Sequence, residues 1–100
     1  MVLLTLDSLA VFAWRKFHNQ ANQTGVNCAI FRNEGPYRSS ALILEAEQLA
    51  WKRWPGERLY TYVNPRKVQS PNPGYCFKKA GWRFCGISKR RKLHILEKLP

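Results

Sequence analysis

Apolar and polar positions fall into short blocks whose period moves between two and about 3.6. Residues 2–6 are a leucine-rich apolar run, and Asp7-Ser8 supplies a polar turn. Residues 9–17 then alternate, with Val11, Ala13 and Arg15 opposing Phe12, Trp14 and Lys16. Two such runs about a two-residue turn predict a β-hairpin. Residues 18–25 are polar and rich in breakers, so they predict a loop. Residues 26–32 (VNCAIFR) predict a third strand with Val26, Cys28 and Ile30 on one side.

The period becomes helical over residues 41–54. Leu42, Ile43, Ala46, Leu49, Ala50 and Trp54 form an apolar face opposite Glu45, Gln48 and Lys52. Ser39 or Ser40 is placed to accept an orphan backbone N–H as N-cap. Lys52 and Arg53 fall in the last turn, where the helix dipole favours cations, and Pro55-Gly56 stops the helix. Alternation returns at residues 58–63 (RLYTYV), a fourth strand with Tyr60 and Tyr62 on one face. Residues 64–73 carry three prolines and no period, hence a loop. Residues 74–80 predict a short helix closed by Gly81 as the left-handed residue after the cap. Residues 82–87 predict a fifth strand, with Gly86 marking a bulge or a close approach. Residues 89–92 make a basic turn, and 93–96 a last strand. The order β-β-β-α-β-α-β-β predicts an α/β domain with a mixed sheet, because helices that cross between strands allow parallel pairing.

Composition narrows the class. One hundred residues make a single small domain, and 45% hydrophobic with 13% aromatic residues suffices for one core. No apolar run approaches the ~18 residues of a membrane span, and no basic segment precedes an apolar one, so neither a membrane segment nor a secretory leader is expected. Three cysteines, Cys28, Cys76 and Cys85, fit neither a disulfide framework nor a zinc spacing. They predict a reducing compartment, the cytoplasm.

Charge changes the picture most. The net charge is +11. Residues 1–57 carry six basic and five acidic side chains, whereas residues 58–100 carry eleven basic ones and only Glu97. That asymmetry predicts one surface turned to a polyanion: nucleic acid, anionic lipid or a phosphorylated cofactor. A solvated basic face without a partner is the plainer reading.

Two stretches carry candidate chemistry. The strand–loop–helix joint over residues 30–44 offers helix N–H groups and a positive dipole end between Arg32 and Arg38, which suits a diphosphate. Residues 64–82 (NPRKVQSPNPGYCFKKAGW) follow a tyrosine-rich strand and predict a cleft beyond the strand ends, with Arg66 and Lys67 at its mouth. Tyr60, Tyr62, Tyr75 and Trp82 interleave with Arg58, Arg66, Lys67, Lys78, Lys79 and Arg83, a pattern that serves either base stacking or the core. Lys89, Arg90, Arg91 and Lys92 suit backbone phosphates. Among carboxylates, Glu34 lies beside the joint and is the general-base candidate. Asp7 sits in a turn, Glu57 follows the helix stop, and Glu45 and Glu47 are assigned to the solvated side of the helix. His18 in a loop and His94 in a strand read as surface or structural histidines.

The element order, the joint Tyr37-Arg38-Ser39-Ser40-Ala41-Leu42-Ile43, and Cys76-Phe77-Lys78-Lys79-Ala80-Gly81-Trp82 followed by Gly86 resemble the GCN5-related N-acetyltransferase fold. The resemblance covers that fold's second to seventh strands, nearly all of this chain, and leaves its first strand and first two helices without a counterpart. It implies acetyl-CoA or another acyl-CoA as cofactor. Arg38 and the N–H groups of Ser39, Ser40 and Ala41 would hold the pyrophosphate. The backbone of Tyr62, Val63 and Asn64 would pair with the pantetheine arm. The family's two loop glycines are Ala41 and Ile43 here, and its acid tyrosine is Phe77, which leaves Tyr75 as acid and Glu34 as base. The NPGYCFKKAGW stretch resembles phage-encoded members of the fold, the Mom branch that modifies adenine in DNA.

The implied activity is acyl-CoA-dependent N-acyl transfer to an amine, a DNA base included, by a phage-encoded protein in the host cytoplasm. The alternatives are a non-catalytic basic nucleic-acid-binding protein on the same scaffold and a phage regulator of a host protein. The nucleic-acid surface would comprise Arg66, Lys67, Lys78, Lys79, Lys89, Arg90, Arg91 and Lys92. The open sheet edge implies a homodimer whose partner completes the sheet.

Overall fold

The computed structural model describes residues 1–5, 7–16, 25–33, 35, 38–65, 74–89 and 91–100. In chain order the elements are β1 (Val2–Leu4), β2 (Ala10–Arg15), β3 (Val26–Asn33), α1 (Ser39–Arg53), β4 (Leu59–Val63), α2 (Tyr75–Lys79), β5 (Arg83–Ile87) and β6 (His94–Lys98). The six strands form one mixed sheet in the order β1-β2-β3-β4-β6-β5, in which only β3 and β4 run parallel. No helix among the described residues is long and apolar enough to cross a membrane.

The predicted β1–β2 hairpin forms, with Val2 opposite Ala13 and Leu4 opposite Val11. Its turn is built by side chains. The Thr5 hydroxyl donates to Asp7 Oδ1 at 2.6 Å, the Leu9 N–H donates to the same oxygen at 3.1 Å, and Ser8 takes a left-handed φ of 58°. Asp7 is thereby held in a structural role, because its carboxylate replaces backbone partners that a tight turn leaves out.

β3 departs from the alternation its sequence predicts. Ala13 pairs with Ile30 but Trp14 pairs with Cys28, so Ala29 is an extra residue on the β3 side. A bulge of this kind resets which face each later side chain occupies. Val26 and Cys28 point into the core, whereas Ile30 is half exposed and Phe31 turns inward against Phe12, with ring centroids 5.0 Å apart. Ile30 therefore does not share a face with Val26 and Cys28, contrary to what strict alternation predicts.

Helix α1 starts two residues earlier than expected. Its N-cap is Arg38, in extended conformation and without a side-chain cap, and both candidate serines lie inside the first turn. The buried stripe of α1 is Ser40, Ile43, Ala46, Glu47 and Ala50, and Leu44 and Leu49 are exposed. Packing has therefore rotated the helix relative to the face that periodicity alone selects. Glu47, expected in solvent, is 1% exposed. It accepts a hydrogen bond from Trp82 Nε1, and Lys98 Nζ lies 2.9 Å from its Oε2. Lys98 also donates to the Ala80 carbonyl at 2.7 Å, so the ammonium is satisfied from two sides.

Both helices pack on one side of the sheet. A single core joins Ile43, Ala46 and Ala50 of α1 to Phe77 of α2 and to Phe12, Trp14, Val26, Cys28, Leu59 and Leu96 from the strands. Helix α2 ends as its sequence predicts. Gly81 has a φ of 97°, its N–H donates to Lys78 O, and the Trp82 N–H donates to Phe77 O, both at 3.0 Å. These two bonds make a Schellman motif, and the Phe77 and Trp82 rings, 4.9 Å apart, supply its apolar contact. The bulge signalled by Gly86 is also present, at Cys85 between Phe84 and Gly86.

Candidate functional site

The site is a fork between the two parallel strands. Pairing joins Val26–Cys28 to Leu59–Thr61 and no further, although β3 runs on to Asn33 and β4 to Val63. Gly25 sets the closed end. A Cβ there would stand 2.1 Å from the Arg58 carbonyl oxygen, which instead accepts the Val26 N–H at 2.7 Å. Thr61 ties the vertex, its hydroxyl donating to the Cys28 carbonyl at 3.0 Å. The Ala29 bulge of the β2–β3 pairing follows immediately on the β3 side. Past Cys28 and Thr61 the β3–β4 ladder does not continue.

Helix α1 begins at the open end of the fork, since it follows β3 directly. Asn33 joins the two elements: its Nδ2 donates to Ser39 Oγ at 3.0 Å, and its Oδ1 accepts the Gly35 N–H at 3.1 Å. Sequence reading missed Asn33. Its signal was an Asn two residues before a glycine, the pattern of an Asx turn. Arg38 is exposed, and no acidic residue occupies the first turn. The Arg38 carbonyl accepts from Ala41 and Leu42, both at 3.1 Å, and the Ser39 and Ser40 amides, which belong to the first turn, have no backbone acceptor among the described residues. Ile43 is wholly buried, so its side chain points into the core and away from those amides, while Ala41 is exposed. Of the two positions that carry glycine in the resembled family, one side chain is thus turned into the core and the other toward solvent.

The remaining predicted residues separate into groups. Tyr62, Val63 and Asn64 lie past the last β3–β4 pair, at the fork. Tyr62 stands on the face away from the helices, edge to Tyr60 at 5.9 Å. Tyr75 opens α2 and is 55% exposed. Its helix is placed by Gly74, whose φ of 75° and missing Cβ accommodate Leu96 Cδ1, 2.5 Å from where that Cβ would be. Phe77 is buried among aromatic rings and presents nothing to the fork. Trp82 is likewise core, stacked on Trp14 at 6.2 Å. Lys78 and Lys79 occupy the last turn of α2, and Lys89, Arg91 and Lys92 the β5–β6 turn. Glu34, Arg66, Lys67, Arg90, His18 and Tyr37 lie outside the described residues.

Cys28 sits at the vertex and is buried. Burial pushes its thiol up to about 12, against the opposing pull of the Thr61 hydroxyl, and the thiolate is the reactive form. Burial raises Cys76 as well. Among the described residues no three His, Cys, Asp or Glu side chains converge as metal ligands. An apolar pocket of about 120 Å³ lies elsewhere, between α1 and the β1–β2 hairpin, and its one charged liner is Glu45. A carboxylate there opposes a diphosphate.

On the face away from the helices, Glu97 takes Arg58 Nε on Oε1 and Arg83 Nε on Oε2, each at 2.7 Å. Arg58 also lies over the Tyr60 ring, 5.0 Å from its centroid. Two of the cations interleaved with the aromatic residues are thus paired to a carboxylate of the protein itself. The hydrogen bond from Arg58, followed by that from Arg83, keeps the Glu97 carboxyl below the ordinary carboxylate range. A folded-state pKa below the unfolded one stabilises at pH above the unfolded value of about 4.3 and ceases to do so as the carboxylate protonates. The melting temperature is therefore expected to fall as pH drops below about 4.3, and Glu97→Gln to flatten that fall. An unchanged acid profile in the variant would show that other carboxylates govern it.

The chain matches no protein-family model, no curated protein and no solved structure.

Proposed function

We propose that this chain binds an acyl-CoA in the β3–β4 fork and transfers the acyl group to an amine, with a nucleic-acid base as the acceptor class its charge favours. The observation that carries the reading is the conjunction of a parallel strand pair that parts after Cys28 and Thr61 with an uncapped 15-residue helix start at the open end. The chain order of six strands and two helices supports the same reading.

Arg38 and the Ser39, Ser40 and Ala41 end of α1 hold the diphosphate, and the inner edge of β4 at Tyr62, Val63 and Asn64 holds the pantetheine amides. A bound thioester supplies an activated acyl group. The chain's own part is to orient it, to take a proton from the acceptor amine at Glu34, and to give one from the Tyr75 hydroxyl to the departing sulfur. A second reading, a nucleic-acid-binding protein without catalysis, is favoured by Phe77: the ring is 6% exposed and has no proton to give.

Thermal melting with acetyl-CoA separates the two. Coenzyme at 100 times its dissociation constant stabilises by about 2.7 kcal/mol, and Arg38→Ala should remove most of the shift at the same concentration. Absence of any shift at millimolar coenzyme would leave only the second reading.

A further inference from the structure

We propose that the β5–β6 hairpin is a docking arm for the phosphate backbone of a nucleic acid, with Lys89, Arg91 and Lys92 as its contact cations. The first observation is where the protein spends its few carboxylates. Glu47 is taken by Lys98, Glu57 by Lys16, and Glu97 by Arg58 and Arg83. Asp7 is held in its turn. Among the described residues, Lys89, Arg91 and Lys92 have no ion-pair partner, and all three are exposed. Arg38, Lys52, Arg53 and Lys79 are likewise exposed and outside the ion pairs, but only the β5–β6 turn sets three such cations within four residues.

The second observation is that the turn is built. The Ser88 N–H donates to Leu93 O, and the Leu93 N–H donates to Ser88 Oγ, both at 2.9 Å. Lys92 holds a left-handed φ of 55°, a conformation that glycine or asparagine adopts with less strain. A lysine kept in such a position gives up stability for a cation at the tip, which is the pattern of strain at a working surface.

The distribution of apolar residues selects the partner. Phe84 and Ile87 are 47% and 53% exposed on β5, behind the tip. An arm that inserts into a membrane leads with its apolar residues and keeps cations at the base. Here the cations lead, as they must to reach phosphates, and the apolar pair lies behind them on β5. The arm names the partner of the acyl-transfer site, and it rests on that reading only insofar as the acceptor amine belongs to the bound strand.

The test uses the full chain and a fluorescein-labelled DNA duplex, its single strand, and phosphatidylserine vesicles, with affinity followed against salt. Each phosphate contact contributes about −0.9 to the log–log slope for a duplex. The combined change Lys89→Glu, Arg91→Glu and Lys92→Glu is expected to weaken binding at least ~10-fold and to flatten the slope by about 2.7. Reversal of Lys52 and Arg53, exposed at the far end of α1, should change affinity less than about twofold. Lys92→Asn keeps folding separate from binding: it should raise the melting temperature and still flatten the slope by about 0.9.

An unaltered slope in the triple variant, an equal loss in the α1 variant, or vesicle binding without duplex binding would each overturn the arm. Relative strength on duplex and single strand identifies which form of the backbone it takes. The triple variant should keep the acetyl-CoA melting shift of the parent. A parent with no coenzyme shift but the expected salt dependence loses the acyl-transfer reading and keeps the arm; the opposite pair of results removes the arm alone.

Discussion

Replacing Glu47 by alanine is expected to cost about 3–5 kcal/mol of unfolding free energy, read from the midpoint and slope of a urea titration. The carboxylate is 1% exposed and meets Trp82 Nε1 and Lys98 Nζ, the latter at 2.9 and 3.2 Å. Taking it away leaves an ammonium in a largely buried site with only the Ala80 carbonyl for company. An ion stranded in that way costs far more than the pair is worth as a whole. Glu47→Leu combined with Lys98→Met should therefore recover part of the loss, because neither charge remains to be solvated while the buried Trp82 N–H still lacks its acceptor. A single-variant cost under ~1 kcal/mol would show that water reaches Lys98 and that the network is open.

The second large effect is at Phe77. Its ring lies 4.9 Å from Trp82, 5.8 Å from Phe31 and 6.5 Å from Phe12, and Phe77→Ala should cost about 3–5 kcal/mol by emptying the middle of this cluster. Tyr75, two positions earlier on the same helix, is 55% exposed, and Tyr75→Ala should stay within about 0.5 kcal/mol. Comparable costs at the two positions would contradict the orientation of α2. The contrast has a functional side. Tyr75→Phe removes only a hydroxyl and leaves the core intact, so any loss of transfer in that variant is chemical.

Local rules of the chain account for what could be read in advance. The end of α2 was legible because a glycine followed by an aromatic, four and five residues after Phe77, admits few closures other than the one found. The β1–β2 hairpin and the stop after α1 were legible for the same reason: Asp7, Pro55 and Gly56 act on their immediate neighbours. Glu47 was not legible, since its partners Trp82 and Lys98 are 35 and 51 residues away and periodicity assigns a carboxylate to solvent by default. The N-cap was misplaced because a serine hydroxyl is the usual acceptor, whereas here Ser39 faces Asn33. The fork could be expected as a strand-end cleft, but its position depends on how far two strands distant in sequence stay paired. That is a property of register, which no single run of residues encodes.

Ala29 sets the phase of everything that follows it in β3. Because of that one additional residue, Phe31 comes round to Phe12 and Asn33 comes round to Ser39. Exchanging the methyl group for another small side chain leaves this timing untouched. Shortening the strand by a single position would send the aromatic ring to the outside and unhook the start of α1, so at this point the count of residues is held more tightly than their kind.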